Sequence, residues 1–124
     1  MLHKRVLVID DEDDIRDVAS MALELTEEWE MAAAATGKQG MQLAQALHPD
    51  AILLDVMMPD MDGPATFAEL QNSDDTRSIP VIFLTAKVQA ADRRRFAKLG
   101  VRGVIAKPFD PLTLGRQVAA ILEW

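Results

Sequence analysis

Three short apolar runs, VLVI (6–9), AILL (51–54) and VIFL (81–84), contain no polar residue at every second position, and longer amphipathic stretches separate them. A half-exposed strand alternates apolar with polar, whereas a strand covered on both faces does not. Unbroken apolar runs alternating with helical periodicity therefore predict βαβ units around a parallel sheet. Strands are expected at 5–10, 30–34, 51–54, 80–84 and 103–106. The first helix is expected to use Asp13 or Asp14 as its N-cap and to bury Ile15, Val18, Ala19 and Ala22. A second helix should span 38–46, with Pro49 separating it from the third strand. The last helix should start with Asp110 at N-cap and Pro111 at N1, burying Leu114, Val118, Ile121 and Leu122. A length of 124 residues holds one core, and no linker, low-complexity tract or repeat interrupts it, so one domain is expected over 1–124.

Charged residues recur at the C-terminal ends of these runs: Asp10-Asp11 after RVLVI, Asp55 after AILL, and Lys107-Pro108 after GVIA. Parallel strands point the same way, so these ends converge on one edge, where open α/β sheets bind ligands. Neighbouring strands lie about 4.8 Å apart, close enough for three carboxylates to repel strongly unless a cation joins them. A hard divalent ion and one lysine would balance the cluster. Taken singly, Asp10 is an ordinary turn former, Thr85 an ordinary strand threonine and Lys107 an ordinary surface lysine. Asp55 is harder to set aside. It ends a run that should be buried, where an unpaired carboxylate is costly, and a turn-rich loop, MMPDMDG, follows it. Five such residues at the ends of four strands point to one site.

Composition excludes several alternatives. Zero cysteines remove disulfides, thiol catalysis and thiolate metal sites, and two isolated histidines cannot build a zinc site. Any metal must be held by oxygen. A net charge of −7 argues against a nucleic-acid surface, and no stretch approaches the roughly 18 apolar residues of a membrane span. The start MLHKR lacks the apolar core of a secretory signal, so a soluble, cytoplasmic chain is expected. The basic island of Arg93, Arg94, Arg95, Lys98 and Arg102 is read as a solvated helix face. Met57, Met58 and Met61 are read as packing residues, and His48 as a helix-end residue.

The combined pattern resembles a receiver domain of a two-component response regulator. VLVIDDEDDIR, AILLDVMMPDMDG, PVIFLTA and VIAKPFDPLTL carry the likeness over essentially the whole length. The resemblance implies a flavodoxin-like, doubly wound sheet of five parallel strands in the order 2-1-3-4-5, with helices on both faces; chemotaxis receivers are a standing example of that order. It implies that Asp55 accepts a phosphoryl group from a phosphohistidine on a sensor histidine kinase or a histidine phosphotransfer protein. Mg²⁺ would be held by Asp10, Asp11, the Asp55 carboxylate and the Met57 carbonyl. Lys107 would pair with the phosphoryl group, and Thr85 would hydrogen-bond one of its oxygens. Such a protein catalyses its own phosphorylation and dephosphorylation, acting as a switch and not as a turnover enzyme. Its output would pass to a downstream protein, or onward through a phosphorelay, by way of the fourth helix, fifth strand and last helix. A helix ending at Glu123-Trp124 accords with a stand-alone domain.

Three details refine this expectation. Gly63 fits a position of positive φ after the DMD turn, with Pro59 stiffening the loop. Receivers commonly place Tyr or Phe three residues before the lysine, where this chain has Val104. Met57 and Lys87 stand at positions that, in the family, tune attack by water on the acyl phosphate. Rival classes fit less well. A dinucleotide-binding enzyme needs a glycine-rich loop where this chain has DDEDD, and a haloacid-dehalogenase-type phosphatase needs a second Asp where it has Met57. A receiver fold used as a constitutive interaction module, without phosphorylation, stays open.

Overall fold

The computed structural model describes residues 4–124. Five strands, β1 (Arg5–Ile9), β2 (Glu30–Ala34), β3 (Ala51–Asp55), β4 (Val81–Thr85) and β5 (Gly103–Ala106), form one parallel sheet ordered β2-β1-β3-β4-β5. Five helices connect and follow them: α1 (Asp13–Glu27), α2 (Gly37–Leu47), α3 (Gly63–Gln71), α4 (Ala90–Leu99) and α5 (Leu114–Leu122).

The unbroken apolar runs are explained by two cores, one on each face of the sheet. Leu7, Ile9, Ile52, Leu54, Val81 and Phe83 point to one side, where Ala44 of α2, Phe67 and Leu70 of α3 and Phe96 of α4 cover them. Val6, Val8, Leu53, Ile82, Leu84 and Ile105 point to the other, beneath Ala19 and Leu23 of α1 and Leu114, Val118 and Leu122 of α5. Each fully buried Leu, Ile or Phe contributes roughly 1.5–3 kcal/mol, so every second residue of a central strand stabilises a different helical layer. The edge strand β2 is partly exposed, which its smaller residues EMAAA allow.

Strand positions agree with expectation to within one residue, but two helix starts do not. The N-cap of α1 is Glu12, without a side-chain cap, and Asp13 and Asp14 occupy the first turn, where they favour the positive end of the helix dipole. Along the same helix Val18 is exposed and Leu23 takes the buried place. Helix α5 starts at Leu114, one turn later than Asp110-Pro111 suggests. The Asp110 carboxylate accepts the Leu112 N–H at 2.9 Å, forming a local turn instead of a helix cap. Leu114, Val118 and Leu122 are buried as expected and Ile121 half-buried. His48 is the C-cap of α2, in the left-handed region at φ 48°. Among the described residues no helix is long and apolar enough to cross a membrane.

Candidate active site

β1 and β3 deliver Asp10 and Asp55 to the same edge because they pair in register, Ile9 opposite Leu54. β4 and β5 bring Thr85 and Lys107 alongside, with the Lys107 N–H donating to the Thr85 carbonyl at 2.9 Å. Asp10 and Asp55 are buried, and Lys107 Nζ bridges them, 3.0 Å from Asp10 Oδ2 and 3.2 Å from Asp55 Oδ1. The second Asp10 oxygen accepts the Glu12 N–H at 2.9 Å, and the Met57 N–H lies 3.4 Å from Asp55 Oδ1. Carboxylate oxygens of Asp10, Asp11 and Asp55 all come within 4.8 Å of one another, with Asp11 exposed. Thr85 is buried, and its hydroxyl oxygen accepts the Lys87 N–H at 3.0 Å, leaving the hydroxyl proton uncommitted.

Burial, and then repulsion from Asp10, push the Asp55 carboxyl up to about 6 from an ordinary 3.8, against the pull of Lys107. Burial works to lower the Lys107 pKa, but its bond and attraction to Asp10, and next to Asp55, prevail and raise it. The lysine is therefore a fixed positive charge, and the aspartate is the group whose ionisation the site holds in balance.

A cleft of about 210 Å³ opens over these groups, lined by Glu12, Asp55, Met57, Thr85, Ala86 and Lys107. The five residues expected at the strand ends thus come together. Sequence reasoning missed Glu12, whose Oε1 lies 3.5 Å from Lys107 Nζ; its place two residues after Asp10 was the available signal. The methionines divide: Met58 is 8% exposed and packs into the core, whereas Met57 is 64% exposed at the cleft wall, not a packing residue. Gly63 also departs from expectation. Its φ is not positive; among described glycines only Gly100 has that conformation. A Cβ at Gly63 would lie 2.7 Å from the Asp55 carbonyl oxygen and 2.8 Å from Val56 Cα, so glycine is needed for close approach of α3 to the C-terminal end of β3. The Gly63 N–H donates to the Val56 carbonyl at 2.9 Å, holding that approach.

Val104 is half-buried against the core that contains Phe83, with which it pairs in register, and Phe96. The basic residues 93–95, 98 and 102 are all exposed, as expected of a solvated face. A separate groove of about 230 Å³ between α1 and the segment before α5 is lined by Val18, Met21, Ala22, Leu25, Thr26, Pro111 and Leu112.

Comparison with known proteins agrees with this geometry. The family model for the response regulator receiver domain matches residues 6–119. A probable transcriptional regulator, ycf27 of Cyanophora paradoxa, is 37% identical over 97% of this chain and 48% of its own length. The chain spans about half the length of the curated relatives it matches. Among solved structures, the chemotaxis protein CheY4 of Vibrio cholerae superposes with a TM-score of 0.89 at 28% identity, covering 97% of this chain and 99% of that one. The receiver domain of the sensor histidine kinase PA1611 of Pseudomonas aeruginosa gives a TM-score of 0.85 at 26% identity, covering 99% and 100%; that structure has a magnesium ion coordinated in its active-site cleft.

Proposed function

The chain belongs to the response regulator receiver domain family, and from that membership we propose that residues 1–124 form one phosphoacceptor domain in which Asp55 takes a phosphoryl group from a phosphohistidine partner. The observation that carries this reading is the bridge from Lys107 Nζ to both Asp10 and Asp55 at the floor of the cleft. A lysine cation in contact with two carboxylates supports this reading, because phosphoryl transfer relies on positioned charge around the acceptor.

In the step proposed, an Asp55 carboxylate oxygen attacks phosphorus, the oxygen–phosphorus bond forms, and the bond to the histidine nitrogen breaks. Lys107 exchanges its hold on Asp55 for the incoming phosphoryl oxygens, keeping Asp10 as its anchor. The Thr85 hydroxyl donates its free proton to a second phosphoryl oxygen. Hard oxygen donors spaced within 4.8 Å suit Mg²⁺, which Asp10, Asp11, Asp55 and the Met57 carbonyl would hold. Bound there, the ion would neutralise charge building on the phosphoryl group. The apolar groove along α1 and Leu112 offers a surface for contact with the donor protein. Output then passes through α4, β5 and α5 to a downstream protein.

Incubation with acetyl phosphate and Mg²⁺, followed by intact-mass measurement, tests the proposal. One phosphoryl adduct is expected on the native chain and none on Asp55→Asn. An adduct that persists in Asp55→Asn would place the phosphoryl group elsewhere, and no adduct on the native chain would favour a constitutive interaction module.

A further inference from the structure

Met57 and Met58 are neighbours in sequence with opposite environments, 64% and 8% exposed. Among the described methionines only Met57 and Met21 are exposed, and Met21, at 60%, lies on α1 outside the cleft lining. The chain has no cysteine, so thioethers are the sulfur groups that an oxidant can reach. Met57 is also tied to the acceptor: its N–H lies 3.4 Å from Asp55 Oδ1, and the residue lines the same cleft as Asp55, Thr85 and Lys107. An exposed methionine therefore belongs to the lining of the cleft that would hold any group carried on Asp55.

We propose that Met57 is a site of reversible oxidation, at which a peroxide converts the thioether to a sulfoxide and shortens the life of the phosphoryl group on Asp55. The sulfur lone pair attacks one peroxide oxygen, a sulfur–oxygen bond forms, and the oxygen–oxygen bond breaks. Sulfur loses two electrons, and the proton on the oxygen it has gained passes to the departing hydroxide, leaving a sulfoxide and water. The product differs from the starting side chain in what it offers to water. A thioether is a poor hydrogen-bond acceptor and covers the cleft wall with apolar surface. A sulfoxide oxygen is strongly polar, so it holds a water molecule at that wall, beside the acyl phosphate that water hydrolyses. Two-electron reduction of the sulfoxide by an external dithiol, which becomes a disulfide while the oxygen leaves as water, returns the apolar wall.

This inference rests on phosphorylation of Asp55, and the experiment separates the two. The full chain is treated with limiting hydrogen peroxide, and oxidation of each methionine is followed by peptide mass. The chain is then phosphorylated with acetyl phosphate and Mg²⁺, and loss of the adduct is timed by intact mass. Met57 is expected to oxidise severalfold faster than Met58, and the oxidised chain to lose its phosphoryl group severalfold faster than the untreated one. In Met57→Leu, peroxide should leave the lifetime at that variant's own untreated value, while Met21→Leu should keep the full response. A methionine sulfoxide reductase should restore the original lifetime. Equal oxidation of Met57 and Met58, or an equal peroxide response in Met57→Leu, overturns the inference while phosphorylation of Asp55 stands. Failure of the untreated chain to accept phosphate overturns both.

Discussion

The cleft and helix α4 lie on the same sheet but are built in opposite ways. In the cleft, two buried aspartates are tied to one lysine by bonds of 3.0 and 3.2 Å, and every strand end is held by backbone pairing. Helix α4 buries one residue, Phe96, which meets Phe83 edge-on at 5.1 Å. Its Arg93, Arg94, Arg95 and Lys98 face solvent. The four buried residues of α5 make the contrast plainer. Chemistry that needs fixed geometry sits where bonding is dense, and the element proposed to report on it is held by one aromatic anchor. Phe83 stands two residues before Thr85, so strand β4 carries both the hydroxyl proposed to meet the phosphoryl group and the ring against which Phe96 of α4 packs. With Val104 where the resemblance would place an aromatic, the coupling proposed here runs through that strand and its following loop.

The contrast is sharpest if α4 can be loosened without harm to the cleft. Phe96→Ala removes the anchor, and truncation of a buried Phe costs roughly 3–5 kcal/mol, a large part of a domain's stability. Urea unfolding should show that loss, with Phe96→Leu losing less, and the folded fraction of both should still take one phosphoryl group on Asp55. If phosphorylation disappears in Phe96→Leu while the fold survives, cleft and helix are not separable in this way.

A second, smaller effect is expected at the bridge itself. Removing one partner of a buried charge pair typically costs roughly 3–5 kcal/mol, but Asp55, already raised to about 6, can take up a proton when the lysine is lost. Lys107→Met should therefore cost less than that in the metal-free protein and should slow phosphorylation by acetyl phosphate severely. A stability loss equal to that of Phe96→Ala, with normal phosphorylation, would assign Lys107 a structural role alone.

The smallest effect concerns pH. Because the folded-state pKa of Asp55 is raised from 3.8 to about 6, the folded chain holds the proton more tightly than the unfolded chain between those values. Its contribution to stability is then present at low pH and is lost as pH rises through about 6. Without metal, Asp55→Asn should match the native chain near pH 4 and exceed it by roughly 1–3 kcal/mol at pH 7. A native advantage at pH 7 would mean that Lys107 outweighs burial at this carboxylate.

Much of this architecture is legible in the sequence, for a physical reason. Strands buried on both faces cannot alternate, so VLVI, AILL and VIFL announce themselves, and a charge that ends such a run must be accommodated by partners. Helix starts are less legible because the same residues serve two purposes. Asp-Pro suits the opening of a helix and also a turn, and here Asp110 closes a turn onto the Leu112 N–H. DDEDD offers several acidic candidates for one cap, and the backbone selects Glu12. Gly63 is required by the Asp55 carbonyl 2.7 Å from where its Cβ would stand, a tertiary approach that no local pattern encodes. The opposite exposures of Met57 and Met58 are likewise set by which residue the loop turns toward the core.

A fixed cleft coupled to a weakly anchored helix is tested most directly by backbone amide shifts recorded with and without a beryllofluoride mimic of the phosphoryl group. Thr85 should move toward the mimic, and the largest changes outside the cleft should fall on residues 86–91 and the start of α4. Largest changes centred on Val104 and Ile105, with residues 86–91 unmoved, would contradict this coupling.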